Sequence, residues 1–190
     1  IQELRQLMEE LAAQESGAFS DREGDLEEFA VIPAYIDYVV ENIGKVLGSK
    51  DSVAQKKVVI DSGNGTASTV APALFEKLGA KVIPLFCELD GRFPNHHPDP
   101  TVHENLKDLV ATVKAERADF GIAFDGDSDR VGLVDEKGRI VFGDELMVIL
   151  SREVLKAKPG ATIISEVKSS HRLYNDIEAK GGIPLMWKTG

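Results

Sequence analysis

From Lys57 onward the chain alternates apolar runs of strand length with longer stretches of helical periodicity, and this alternation constrains the fold more than any single motif. Lys57–Asp61 (KVVID), Lys81–Phe86, Phe120–Phe124, Thr162–Val167 and Pro184–Trp187 read as strands, with Lys57–Asp61, Phe120–Phe124 and Thr162–Val167 buried. Helical patterns fill the intervals from Thr66 to Leu78, Asn105 to Ala115, Asp144 to Leu155 and Leu173 to Lys180, with Gly79 as a C-cap. Val131–Val134 and Arg139–Phe142, joined by Asp135-Glu136-Lys137-Gly138, form a hairpin. Repeated units of this length imply an α/β fold of mixed, mostly parallel sheets covered by helices. Ligands in such sheets collect at the carboxyl ends of strands.

The segment before Lys57 has a different texture. Ile1–Ala13 carries a helical stripe of Leu4, Leu7, Met8 and Leu11, and polar residues 14–28 read as a loop. A second helix starts near Pro33 and runs through Tyr35, Ile36, Val39, Val40, Ile43 and Leu47, followed by a hydrophilic connection over residues 49–56. The chain opens on Ile1 inside a helical pattern, as a piece of a longer protein would. A net charge of −10 argues against nucleic acid and against an anionic membrane surface as partners. Cys87 is the only cysteine, which excludes an internal disulfide and suits the cytoplasm. No apolar run approaches the roughly 18 residues of a membrane span.

Two segments stand at strand carboxyl ends. The sharper is Asp125-Gly126-Asp127-Ser128-Asp129-Arg130, where an apolar strand runs out into three carboxylates at alternate positions. Carboxylates that close together stay ionised only with a cation between them. Oxygen ligands alone favour a hard ion, Mg²⁺ before Ca²⁺ or Mn²⁺, and disfavour zinc. Asp125, Asp127, Asp129 and Glu136 also fit EF-hand spacing, but Arg130 stands where that loop needs glycine and a strand follows instead of a helix. A guanidinium beside a carboxylate-bound cation suits a phosphate. The bland alternative is a solvated acidic turn.

The other segment, Ser62-Gly63-Asn64-Gly65, lacks a P-loop lysine and the glycine spacing of a dinucleotide fingerprint, so it reads as a tight turn. Phe93-Pro94-Asn95-His96-His97-Pro98-Asp99-Pro100 is stiffened by its prolines, and adjacent histidines on extended chain point apart, so it reads as a structural loop rather than a metal site. Lys168 ends its strand and precedes a helix whose start holds Ser169 and Ser170; it is a surface lysine or one end of a phosphate or sugar site.

Taken together, these residues resemble the α-D-phosphohexomutases, in their bacterial phosphomannomutase/phosphoglucomutase branch. The acidic loop is similar to that family's DGDGDR loop, and Phe93–Pro100, Lys168, Gly181-Gly182 and Met186-Trp187-Lys188-Thr189-Gly190 strengthen the match. The resemblance implies a cytoplasmic isomerase acting on mannose or glucose 1- and 6-phosphates, with glucosamine phosphate a weaker candidate. It implies a phosphoserine donor and a hexose 1,6-bisphosphate that turns over in the cleft. Asp125, Asp127 and Asp129 would hold Mg²⁺, Arg130 would stabilise the phosphoryl group or the sugar, and Lys168 would contact substrate and assist proton transfer. Residues 1–36 would be the end of domain 1 with its linker, 37–139 domain 2, and 140–190 the start of domain 3.

Ser128 departs from the family's glycine, and the phosphoserine segment T-x-S-H-N-P, the G-E-x-S-G-H loop and the fourth domain are missing from these residues. The isolated chain is therefore expected to be inactive, with the missing domains of the same protein as its partners. The rival reading is a non-catalytic cation-binding α/β module.

Overall fold

β1 (Lys57–Asp61) is apolar on both faces, and Val58, Val59 and Ile60 are fully buried, so it can only run through the inside of a sheet. The computed structural model describes residues 2–13, 24–47 and 53–189, and within it β1 lies between β2 (Lys81–Leu85) and β3 (Phe120–Phe124), parallel to both. The antiparallel β4 (Val131–Asp135) and β5 (Ile140–Val141) complete a five-stranded sheet of order β2-β1-β3-β4-β5. Alternate side chains divide the core in two. Val59 and Ala123 face Leu106, Leu109 and Val113 on one side, while Val58, Ile60 and Ile122 face Ala67 and Ala71 on the other.

The helices that cover the sheet follow from their own sequences, with corrections. The continuous helix expected from Thr66 to Leu78 is two pieces, a 3-10 turn at Thr66–Thr69 and a helix, Ala71–Lys77, joined at Val70. Pro72 opens the second piece, where its missing N–H costs nothing. Similarly, His103–Leu106 is a 3-10 turn ahead of the helix Lys107–Glu116, which stops at Arg117 in a left-handed conformation (φ 51°) that no glycine announces.

The chain divides into two units, residues 1–31 and 32–190. In the first, α1 (Gln2–Ala12) leaves Leu4, Leu7, Met8 and Leu11 exposed. The polar excursion expected at 14–28 and the connection at 49–56 lie partly outside the described residues. In the second, α2 (Val31–Leu47) packs Ile36 and Val40 against Leu78, with Asp37 paired to Lys77. Numbered on from α2, the helices of the sheet are α3 (Ala71–Lys77) and α4 (Lys107–Glu116).

A second sheet pairs β6 (Thr162–Glu166) with β7 (Ile183–Trp187) in parallel. α5 (Gly143–Ala157) and α6 (His171–Ala179) cover one face through Leu155, Ile163, Leu173 and Ile177. The other face carries Ile164, Ile183, Leu185 and Trp187, all exposed, so the expectation of a buried strand at 162–167 is half right. β6 is apolar enough for burial on two faces, and the described elements cover one.

Two tests follow. A Cβ on Gly121 would lie 2.7 Å from both Leu109 Cδ1 and Val113 Cγ2. Gly121→Val should therefore destabilise the chain by about 1–3 kcal/mol in urea unfolding, the usual cost of overpacking. Asp119 accepts from the Lys57 backbone N–H (2.8 Å) and from Lys56 Nζ (2.9 Å), and these bonds hold its carboxyl below the ordinary value. Its contribution is present above the unfolded-state value near 3.8 and is lost as pH falls through the lower folded value. Asp119→Asn should flatten that part of an acid-unfolding curve monitored by circular dichroism.

Candidate metal centre

β3 delivers its chain to the carboxyl end of the sheet at Phe124, and the chain then turns back on itself: Ser128 donates its backbone N–H to the Asp125 carbonyl (3.2 Å) and Asp125 donates to the Arg130 carbonyl (3.3 Å). Ser128 closes the turn with φ at 66°, a left-handed conformation where glycine is the unstrained choice. The curl brings one carboxylate oxygen from each of Asp125, Asp127 and Asp129 within 4.8 Å of the others, Asp125 buried and the other two exposed. The hydrogen bond to Asp125, with the charges of Asp127 and Asp125, pushes the Asp129 carboxyl above its ordinary range. Burial pushes Asp125 the same way, but the Arg130 backbone N–H (3.0 Å) and guanidinium Nε (2.8 Å) outweigh it and hold Asp125 low. This mutual repulsion is what a small divalent cation would relieve, and an all-oxygen donor set suits Mg²⁺.

Arg130 is half exposed and forks between two carboxylates, Nε to Asp125 and Nη1 to Asp99 Oδ1 at 2.9 Å. The loop after β1 buttresses the acidic loop. A Cβ on Gly65 would lie 2.7 Å from the Gly126 carbonyl oxygen, Thr66 donates its N–H to that oxygen (3.0 Å), and the hydroxyls of Thr66 and Ser128 meet at 2.8 Å. The Ser62–Gly65 segment is thus the tight turn expected from its sequence, with Gly63 and Asn64 both at positive φ.

His96 belongs to the scaffold. Its Nε2 lies 3.1 Å from Oδ2 of the fully buried Asp61, and its Nδ1 is 2.9 Å from the His97 carbonyl. Nδ1, facing a carbonyl, carries its hydrogen there, and Nε2 faces the Asp61 carboxyl. Burial raises the Asp61 carboxyl in spite of the Gly63 N–H and His96, which favour its ionised form. Among the described residues neither His96 nor His97 joins the metal-competent group of Asp125, Asp127 and Asp129.

Lys168 is a different case. It lies beyond β6, exposed, with Nζ 3.1 Å from Glu166 Oε1, and no hydrogen bond or ion pair between described residues joins it to the acidic loop. Ser170 is the N-cap of α6, accepting from the Arg172 N–H, and donates its own N–H to Asp144 (2.8 Å). Sequence reasoning missed Asp99 and Asp61. Asp61 could have been found as a carboxylate closing a wholly apolar strand, and Asp99 as the acid held between two prolines.

The five-stranded sheet thus carries three clustered carboxylates and an arginine where β3 ends. Residues 33–138 match the phosphoglucomutase/phosphomannomutase alpha/beta/alpha domain II, and residues 142–190 match domain III. The chain is a member of the phosphoglucomutase/phosphomannomutase family. It is 49% identical over 167 residues to a phosphomannomutase/phosphoglucomutase of Pseudomonas aeruginosa, covering 88% of this chain and 35% of the relative. It is 40% identical over 186 residues to a phosphoglucomutase of Neisseria gonorrhoeae, covering 97% of this chain and 39% of that one. A crystal structure of a family protein from Burkholderia thailandensis superposes with a TM-score of 0.76 at 41% identity, over 88% of this chain and 35% of that one. The chain thus spans little more than a third of the length of these relatives.

Replacing Ser128 with glycine removes a left-handed strain of about 1–2 kcal/mol and a hydroxyl contact of about 0.5–1.5 kcal/mol. The two nearly cancel. Ser128→Gly should change unfolding stability by less than about 1 kcal/mol, which a urea titration would read directly.

Proposed function

We propose that this chain supplies the metal-binding part of a phosphohexomutase, an isomerase that interconverts hexose 1-phosphate and hexose 6-phosphate through a phosphoserine and a hexose 1,6-bisphosphate. The observation that carries this reading is the convergence of Asp125, Asp127 and Asp129 beside Arg130 at a strand end, in a member of this family. The names of the relatives favour mannose and glucose as the sugars. In this reading residues 1–36 close domain 1, residues 37–139 form domain 2, residues 140–190 begin domain 3, and the protein works in the cytoplasm.

Asp125, Asp127 and Asp129 would hold Mg²⁺. When bound, the ion supplies positive charge against the phosphoryl group in transfer, the main demand of this chemistry. Arg130 would turn its remaining N–H groups to phosphoryl oxygens, a role its planar donor fork suits. Lys168 would bind the sugar and carry a proton at Nζ, with Glu166 Oε1 3.1 Å from it.

The test uses the full-length gene product, primed with hexose bisphosphate, on mannose 1-phosphate and glucose 1-phosphate with Mg²⁺ or with EDTA. Turnover that EDTA abolishes is the expected result, and Asp127→Asn should lower the maximal rate by roughly 10²–10³-fold, since the ion stabilises transferring charge. The 190 residues alone should be inert. Near-normal turnover by Asp127→Asn would remove the metal assignment, and no turnover with any hexose phosphate would leave a non-catalytic cation-binding module.

A further inference from the structure

The structure assigns Asp99 the role of a positioning residue that fixes the guanidinium of Arg130 beside the acidic loop; the functional half of this assignment rests on the phosphohexomutase reading. Asp99 lies outside the acidic loop, on the segment between β2 and α4, yet its Oδ1 accepts from Arg130 Nη1 at 2.9 Å. The same oxygen accepts from Thr101 N (3.0 Å) and Thr101 Oγ1 (2.7 Å), so the carboxylate is locked in one rotamer before Arg130 reaches it.

Its backbone is as firmly held. Pro98 and Pro100 flank it and are buried, the first against Gly63 and the second against Gly132, where added Cβ atoms would each lie 2.9 Å from a proline Cβ. Asn105 Nδ2 donates to the Asp99 carbonyl (3.0 Å), and the His96–Asp61 pair pins the segment upstream.

With Nε on Asp125 and Nη1 on Asp99, the guanidinium plane cannot turn about its own axis. Its remaining N–H groups meet no acceptor among the described residues, and the side chain is 49% exposed. Asp125 alone would leave the head free to rotate. Asp99 is the second point that fixes it, and an arginine fixed at two points presents its free donors to a phosphoryl oxygen without first losing rotational freedom.

The experiment compares Asp99→Ala and Asp99→Asn with the unchanged full-length protein in three readouts. Arginine side-chain NMR reports rotation about the Arg130 Nε–Cζ bond, calorimetry reports Mg²⁺ affinity, and steady-state kinetics report kcat and KM. Asp99→Ala should free the rotation and lower kcat/KM by about 10–100-fold, the usual cost of removing an orienting partner. Mg²⁺ affinity should fall by less than kcat/KM does, since Asp99 bonds to Arg130 and to none of the three clustered carboxylates. Asp99→Asn keeps an acceptor oxygen and should fall between the two, which also keeps the test alive if the alanine variant does not fold. Restricted rotation in a folded Asp99→Ala protein, or normal kcat/KM with free rotation, would overturn the assignment. So would a loss of Mg²⁺ affinity that parallels the loss of rate, because Asp99 would then belong to the cation site. If the unchanged protein shows no mutase activity, the phosphohexomutase reading fails while the NMR readout still decides whether Asp99 orients Arg130.

Discussion

Three carboxylates held within 4.8 Å of one another at the end of a buried strand repel, and much of the surrounding architecture holds them there. Arg130 answers part of the charge and keeps Asp125 ionised in a buried position. The hydrogen bond to Asp125 and the charges of Asp127 and Asp125 raise the Asp129 carboxyl above its ordinary range. The loop buries Asp125, leaves Asp127 and Asp129 exposed, and draws the three together at the cost of a left-handed serine.

Holding the curl requires a second layer. β1 and β3 run parallel with Asp61 opposite Ala123, so both strands end at the same carboxyl end of the sheet and hand over to loops that touch. Gly65 and Gly126 lack side chains at the point of closest approach, and the Thr66 amide closes the contact. The Phe93–Pro100 segment lies against both loops through Pro98 and Phe93 and brings Asp99 to Arg130. Asp61 buries a carboxylate beneath that segment, where His96 meets it. Three stretches far apart in sequence thus converge on one arginine and one loop.

The second sheet has a different balance. Its core of Leu155, Ile163, Leu173 and Ile177 is built on one face, while the opposite face keeps Trp187 and its neighbours in solvent. Lys168, which a resemblance to phosphohexomutases would place at the substrate, is held by Glu166 and has no bond to the acidic loop among the described residues.

Local sequence determined most elements of the sheet and the site's main chemistry. Alternation of apolar runs with helical periods marked the strands and most helices, because burial and hydrogen-bond periodicity are written in neighbouring residues. The spacing of Asp125, Asp127 and Asp129 after an apolar strand was legible for the same reason: one loop supplies all three oxygens. The left-handed cap at Arg117 was not, since packing against the sheet decides where that helix stops and no local residue announces it. The break at Val70, by contrast, is marked by Pro72, which cannot sit inside a helix begun at Thr66. Only the tertiary structure joined Asp99 to Arg130, His96 to Asp61 and Thr66 to Ser128, pairs separated by 31, 35 and 62 positions. Contacts of that range depend on strand order and register, which place two loops at one end of the sheet, and no short window of sequence contains both partners.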